Sequence, residues 1–157
     1  SKPPTLVFCP GVPGPDGSEK DTLRNIRECG EFVVHLPDEA TAEAMNRSAI
    51  NFPPELSELE YSGVTTVQST VISVPRIAEA PLAFECRSQR IVDVSTKQGG
   101  GFAVFGEVVH VYCRDELWNG EKVELGPFKP IARLGGHAYA RVGDTFELRR
   151  PVYAAKS

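Results

Sequence analysis

Two apolar, β-rich stretches, "PLAFECRSQRIVDV" from Pro81 to Val94 and "GFAVFGEVVHVYC" from Gly101 to Cys113, constrain this chain more than any other feature. Both are rich in Val, Ile, Phe and Tyr, and the polar, glycine-bearing "STKQGG" between them reads as a turn, so the pair predicts a long β-hairpin. A hairpin of that length cannot stand alone in water, and its neighbours are legible in the rest of the chain. "TLVFCPG" predicts a buried strand stopped by Pro10 and Gly11, and "EFVVHL" a second strand ended by Pro37-Asp38, which opens a short helix in "EATAEAMN". "AYARVGDTFELRR" predicts another strand, or a pair turning at Gly143-Asp144. The simplest architecture is an antiparallel barrel of about six strands closed at its ends by small helices.

The stretch "SEKDTLRNIRECGEF", Ser18 to Phe32, departs from this period of two. Leu23 and Ile26 give it one apolar face, and Gly30 supplies the left-handed residue that commonly ends a helix, so a helix is expected over Asp21–Cys29. Asp21 or Thr22 can cap its start, because a short side-chain oxygen accepts from the free N–H groups of a first turn. Those N–H groups and the positive end of the helix dipole also make a seat for an anion, beside which Lys20 adds a full charge. A solvated lysine next to a good cap accounts for the same residues, so this motif alone does not decide function.

Composition narrows the possible roles. The 157 residues have the size of one domain, and fourteen glycines and thirteen prolines favour turns over long helices. A net charge of −4 gives no footprint for nucleic acid, and no apolar run is long enough to span a membrane as a helix. Cys9, Cys29, Cys86 and Cys113 are scattered without C-x-x-C spacing, which fits a reduced, cytoplasmic protein without a zinc site. No Ser-His-Asp order, phosphate-binding glycine loop or metal-ligand pair stands out. His110 and His35 read as strand histidines without a catalytic partner. "MNRSAINFPPELSELE", Met45 to Glu60, is either a surface loop or a lid over a ligand. In "RLGGHAYAR", Arg133 to Arg141, the Gly135-Gly136 pair either makes a turn or lets the backbone approach a flat ligand, with His137 or Tyr139 beside it.

Taken in order along the chain, "SKPPTLVF", "KDTLRNI" followed by "EFVVHL", "MNRSAINFPPELSELE", "FGEVVHVY" and "RLGGHAYAR" resemble the flavin reductase-like proteins with an FMN-binding split barrel. The resemblance runs over essentially all of residues 1–157 and implies a single domain, a mainly β, antiparallel Greek-key split barrel with short helices. It implies a homodimer with FMN in a cleft near the interface, and NAD(P)H as electron donor for an oxygenase partner or another acceptor. A flavin-binding carrier or sensor without turnover, and a related barrel holding another planar group such as haem, are the competing readings. Under the resemblance Lys20, Asp21 and Thr22 lie at the flavin phosphate with Ser18 and Asn25 as neighbours, Asp21 acting as a cap or brace because two anions repel. Gly136 and Tyr139 are expected towards the ring system. No catalytic residue is assigned, since hydride transfer to a flavin is the cofactor's chemistry. Family members carry a segment ahead of the "S-x-P-P" strand. The N-terminal part of the barrel is thus expected to be missing ahead of Ser1, the natural protein continuing upstream with a hairpin, and the Ser1 strand is expected to lie at an open edge.

Overall fold

A computed structural model describes residues 2–11, 19–50, 52–53, 56–95, 100–151 and 153. The fold is mainly β and antiparallel, as expected. Its centre is the predicted hairpin, β5 (Leu82–Ser95) with β6 (Gly101–Cys113), in register from Leu82↔Cys113 to Ser95↔Gly101. The turn expected within 95–100 falls largely on residues 96–99, outside the described residues. Three register shifts, after Glu85, Ser88 and Asp93, interrupt the ladder. Each bulge turns the following side chains to the other face and adds local twist.

β1 (Thr5–Phe8) pairs with β6, and β2 (Glu31–Leu36) with β5, so the main sheet runs β1-β6-β5-β2. Among the described residues each outer strand has one partner, so the expected open edge is present at β1. The expectation that β1 is buried is not met. Its burial alternates, with Val7 52% exposed, because an edge strand covered on one face keeps every second side chain in water. Two small ribbons complete the β structure: β3 (Thr66–Val67) with β4 (Arg76–Ile77), and β7 (Ile131–Gly135) with β8 (Ala138–Arg141). The described strands thus number eight, against the six or so expected. β8 turns back on β7 at Gly136-His137 rather than forward at Gly143-Asp144, and 142–150 carries no strand, turn or bend. The turn is the one read as a possible role of the Gly135-Gly136 pair, with Gly136 in the left-handed region at φ 54°.

Among the described residues four short α-helices, α1 (Asp21–Cys29), α2 (Ala42–Arg47), α3 (Glu58–Ser62) and α4 (Leu125–Phe128), and a single 3-10 turn at Asp115–Leu117 connect the strands. α1 has the predicted bounds and ends on Gly30 at φ 72°. Its buried Leu23 and Ile26 pack on Phe32, Cys86, Phe102 and Val104. Here Gly106 is indispensable: a Cβ on it would stand 2.3 Å from Cζ of Phe32, whose ring fills that space and meets Phe8 edge-on at 5.4 Å. A second cluster, Leu82, Leu117 and Phe128, closes the other end of the hairpin, with Leu36, Cys113 and Val123 against it. The two clusters share Phe84 at their boundary.

Candidate functional site

The start of α1 is built as an anion seat, with one change from expectation. Lys20, not Asp21 or Thr22, is the N-cap; it is extended (φ −63°, ψ 146°) and makes no side-chain capping bond. Its carbonyl accepts the N–H of Leu23 (2.9 Å) and of Arg24 (3.1 Å). Asp21 cannot cap because it is already the first helical residue, and its carboxylate is spent on an ion pair with Arg24 one turn on. Among the described residues the N–H groups of Asp21 and Thr22 have no partner, and Lys20 has no counter-charge. Thr22 and Asn25 are exposed next to it. A phosphate fits these groups: two N–H donors, a hydroxyl and an ammonium without partners among the described residues, with the two adjacent carboxylates, Glu19 and Asp21, already paired to Arg27 and Arg24. Ser18 lies outside the described residues.

The ring-side candidates sit elsewhere. The β7–β8 ribbon is fastened to the end of β2, where the N–H of Ile131 donates to the Pro37 carbonyl (3.4 Å) and that of Val142 to Pro130 (3.0 Å). Beside it α2 is positioned by a reciprocal turn, in which Asp38 Oδ1 accepts the N–H (2.9 Å) and hydroxyl (2.8 Å) of Thr41 while Thr41 Oγ1 accepts the N–H of Asp38 (3.0 Å). Ribbon and helix enclose an open cleft of about 880 Å³. Met45, Ile50, Ile131 and Tyr139 form apolar wall; Arg47, Arg133 and Arg141 bring positive charge. Arg141 pairs with Glu39 at 3.0 Å, whereas Arg133 donates to the Gly136 carbonyl (3.2 Å) and Arg47 to that of Ser62 (2.9 Å). Gly136 and Tyr139 therefore share a surface that a planar ring can enter. Nothing stands within 4 Å of where a Gly136 side chain would begin.

The structure does not join the two sets within one chain. None of Lys20, Asp21, Thr22 or Asn25 lines the cleft, and α1 packs on the apolar cluster away from the one that closes the cleft's end of the hairpin. The 45–60 segment does border the cleft through Met45, Asn46, Arg47, Ala49 and Ile50. Its Phe52 stacks on Tyr61 with centroids 4.5 Å apart, and residues 51, 54 and 55 lie outside the described residues.

Sequence reasoning missed the three cleft arginines, although Arg133 and Arg141 flank the Gly-Gly motif and were the available signal. It also passed over Glu85. This carboxylate, fully buried on β5, accepts the N–H groups of Thr70 and Val71, each at 2.7 Å, and faces His110 across the hairpin. Burial pushes its pKa up, but the N–H donors of Thr70, Val71 and Ile72 with the charge of His110 outweigh that and hold the carboxyl below its ordinary range. Glu85 thus anchors the loop between β3 and β4, and Glu31 holds the same loop through the N–H (2.8 Å) and hydroxyl (2.7 Å) of Ser73. His35 has a comparable structural task. Its Nε2 accepts the N–H of Ile77 at 2.9 Å, and burial, with the nearby Arg76 charge, lowers its pKa to about 4. Burial drives the Cys86 thiol up to about 11, so it is no thiolate nucleophile. Among the described residues no cluster of His, Cys, Asp or Glu could hold a metal, and no helix is long and apolar enough to cross a membrane.

Comparison with known proteins decides the family. Residues 1–125 match the model of the flavin reductase like domain. The chain belongs to the flavin reductase-like family. Within that family it is 42% identical to an uncharacterised protein of Halalkalibacterium halodurans over 97% of this chain and 73% of the relative. Among solved structures it is similar to nitrilotriacetate monooxygenase component B from Bacillus cereus, at 37% identity and TM-score 0.87, covering 94% of this chain and 73% of the other. It is also similar to the 2-nitrobenzoate 2-nitroreductase of Pseudomonas fluorescens, at 38% identity and TM-score 0.83, over 99% and 73%. A split-barrel protein from Shewanella frigidimarina, 22% identical with TM-score 0.79 over 98% and 72%, shares the fold. The family match stops short of Gly136 and Tyr139, but the alignment with the nitroreductase spans nearly the whole chain.

Proposed function

We propose that this flavin reductase-like protein is an FMN-binding oxidoreductase that takes electrons from NAD(P)H and passes them, through the flavin, to an oxygenase partner or to another small acceptor. The observation that carries this reading is the start of α1, where two N–H groups and a lysine, without a partner among the described residues, are placed to receive an anion in a chain of this family. Similarity to a monooxygenase component supports the oxygenase partner, and similarity to a nitroreductase supports direct reduction of an acceptor. Residues 1–157 act as one domain, and the free cysteines suit a cytoplasmic setting.

Bound FMN supplies the two-electron chemistry. The chain's own residues bind and orient: Lys20 and Thr22 hold the phosphate, Asp21 keeps Arg24 aligned beside them, and Asn25 borders the site. Gly136 admits the ring and Tyr139 packs on it. Because the helix start and the cleft do not meet in one chain, a homodimer is the natural arrangement, with the helix start of one copy facing the cleft of its partner. The test is the visible spectrum of the purified protein loaded with FMN, before and after anaerobic NAD(P)H. Flavin absorbance that bleaches on adding the nicotinamide is expected. A bound flavin that never bleaches would make the protein a carrier, and no flavin binding at all would end the reading.

A further inference from the structure

After β8 the chain leaves the fold. Val142 makes the last backbone bond, to Pro130, and from 143 to 150 no hydrogen bond or ion pair forms among the described residues. Every residue from 141 to 151 is exposed, and the run has no turn or bend. Yet Phe146 and Leu148, 82% and 85% exposed, are as apolar as core residues. Two large apolar side chains so fully in water, two residues apart and so on one side of an extended chain, mark a surface awaiting a partner.

The sequence of this arm names the partner. "DTFELRR", 144–150, complements itself when read antiparallel about Glu147. In that register Asp144 stands opposite Arg150 of a second copy and Phe146 opposite Leu148, with each pairing repeated by symmetry. Thr145 faces Arg149, and the two Glu147 side chains meet on the axis with Arg149 of each copy diagonal to them. Opposite charges and apolar pairs directly across an antiparallel ladder are the favourable cross-strand contacts, and diagonal neighbours remain within reach of long side chains. We propose that 144–150 is a dimerisation strand that adds to the same strand of a second copy about a two-fold axis through Glu147. Such pairing gives hydrogen-bond partners to one edge of both arms at once and packs the four apolar side chains against one another on one face, and an isologous contact closes on itself instead of growing into a filament.

The proposal rests on the homodimer inferred above, and the test separates the two. Sedimentation equilibrium of the full chain with FMN would compare wild type, Asp144→Arg, Arg150→Asp and the double reversal. Each single reversal places like charges opposite each other twice per dimer, so the dimer dissociation constant should rise roughly tenfold. The double reversal restores every pair and should bring the constant back to within about threefold of wild type. A dimeric wild type indifferent to the single reversals, or a double variant no tighter than the singles, would overturn the strand and leave the dimer standing. A monomeric wild type at roughly tens of micromolar would overturn both.

Discussion

Lys20 is a single ammonium at the mouth of a nine-residue helix, and its importance is set by what surrounds it. Because Arg24 neutralises Asp21, the local field at the helix start is positive, and a phosphate there gains a charge-assisted bond in addition to the N–H donors. Lys20→Ala should weaken FMN binding by about 1–3 kcal/mol, the range for such a bond. A fluorescence titration at moderate salt that returned wild-type affinity would remove Lys20 from the site. His35 carries a prediction about pH. Folded, it stays neutral down to about 4, while an unfolded histidine takes up its proton near 6.5. Between those values the unfolded chain holds more protons, so stability falls as acid is added. From the lower end of this interval, past the unfolded carboxyl value of 4.5, the depressed carboxyls of Glu85 and Glu31 lose their contribution in the same direction, as pH falls through their folded values. In His35→Gln, whose amide oxygen can still accept the Ile77 N–H, the melting temperature should lose its slope between pH 6.5 and 4. Calorimetry showing the full wild-type slope in that variant would place the titration elsewhere.

At the scale of elements, legibility followed from how local each cause was. α1 could be bounded because Leu23, Ile26 and Gly30 follow one another at successive helical turns, and β5 with β6 because period, composition and turn agree. What failed depended on remote chemistry. Asp21 looked like a cap, but Lys20 is the extended residue at the helix start, which leaves Asp21 as the first helical residue. The turn read at Gly143-Asp144 is not formed, while the one read as an option at Gly135-Gly136 is, because the ribbon is pinned by Pro37 and Pro130, nearly a hundred residues apart in sequence. Gly106 belongs to the same class. Nothing in "FGEVVHVY" announces that a phenylalanine from another strand lies across its glycine, so the residue reads as a weak point in β6. It is the reverse: Gly106→Ala would drive a Cβ into the Phe32 ring and should cost about 1–3 kcal/mol. Urea denaturation with an unshifted midpoint would mean that the ring has somewhere else to go.

For the molecule as a whole, the proposed homodimer turns the separation of the helix start from the cleft into a prediction that each flavin site draws on two chains. Lys20→Ala and Tyr139→Ala should each impair flavin binding as pure dimers. Mixed after dissociation, they form heterodimers in which one of the two sites takes Lys20 and Tyr139 from intact copies, so about a quarter of wild-type sites should return. Mixtures that recover nothing, although subunits exchange, would mean that each site lies within one chain. The sequence offered the candidate site as a list of residues but not as a place, because sequence order carries no information about how far apart the helix start and the cleft lie in the fold.

The long β5–β6 hairpin also has a kinetic meaning. Ser95 and Gly101 meet across a short gap, Phe32 and Cys86 across a moderate one, and Thr5 and Glu107 across about a hundred residues, so the entropy of closing each loop rises in that order. The hairpin can zip early, β2 and α1 can then dock on it, and β1 comes last. Leu6→Ala in β1 should therefore leave the refolding rate almost unchanged and speed unfolding, whereas Val104→Ala in β6 should slow refolding. Stopped-flow chevrons in which Leu6→Ala slows refolding as much as Val104→Ala would reverse that order. With this order, the strand that the finished sheet holds at its edge is the one whose loss barely delays its birth and most hastens its undoing.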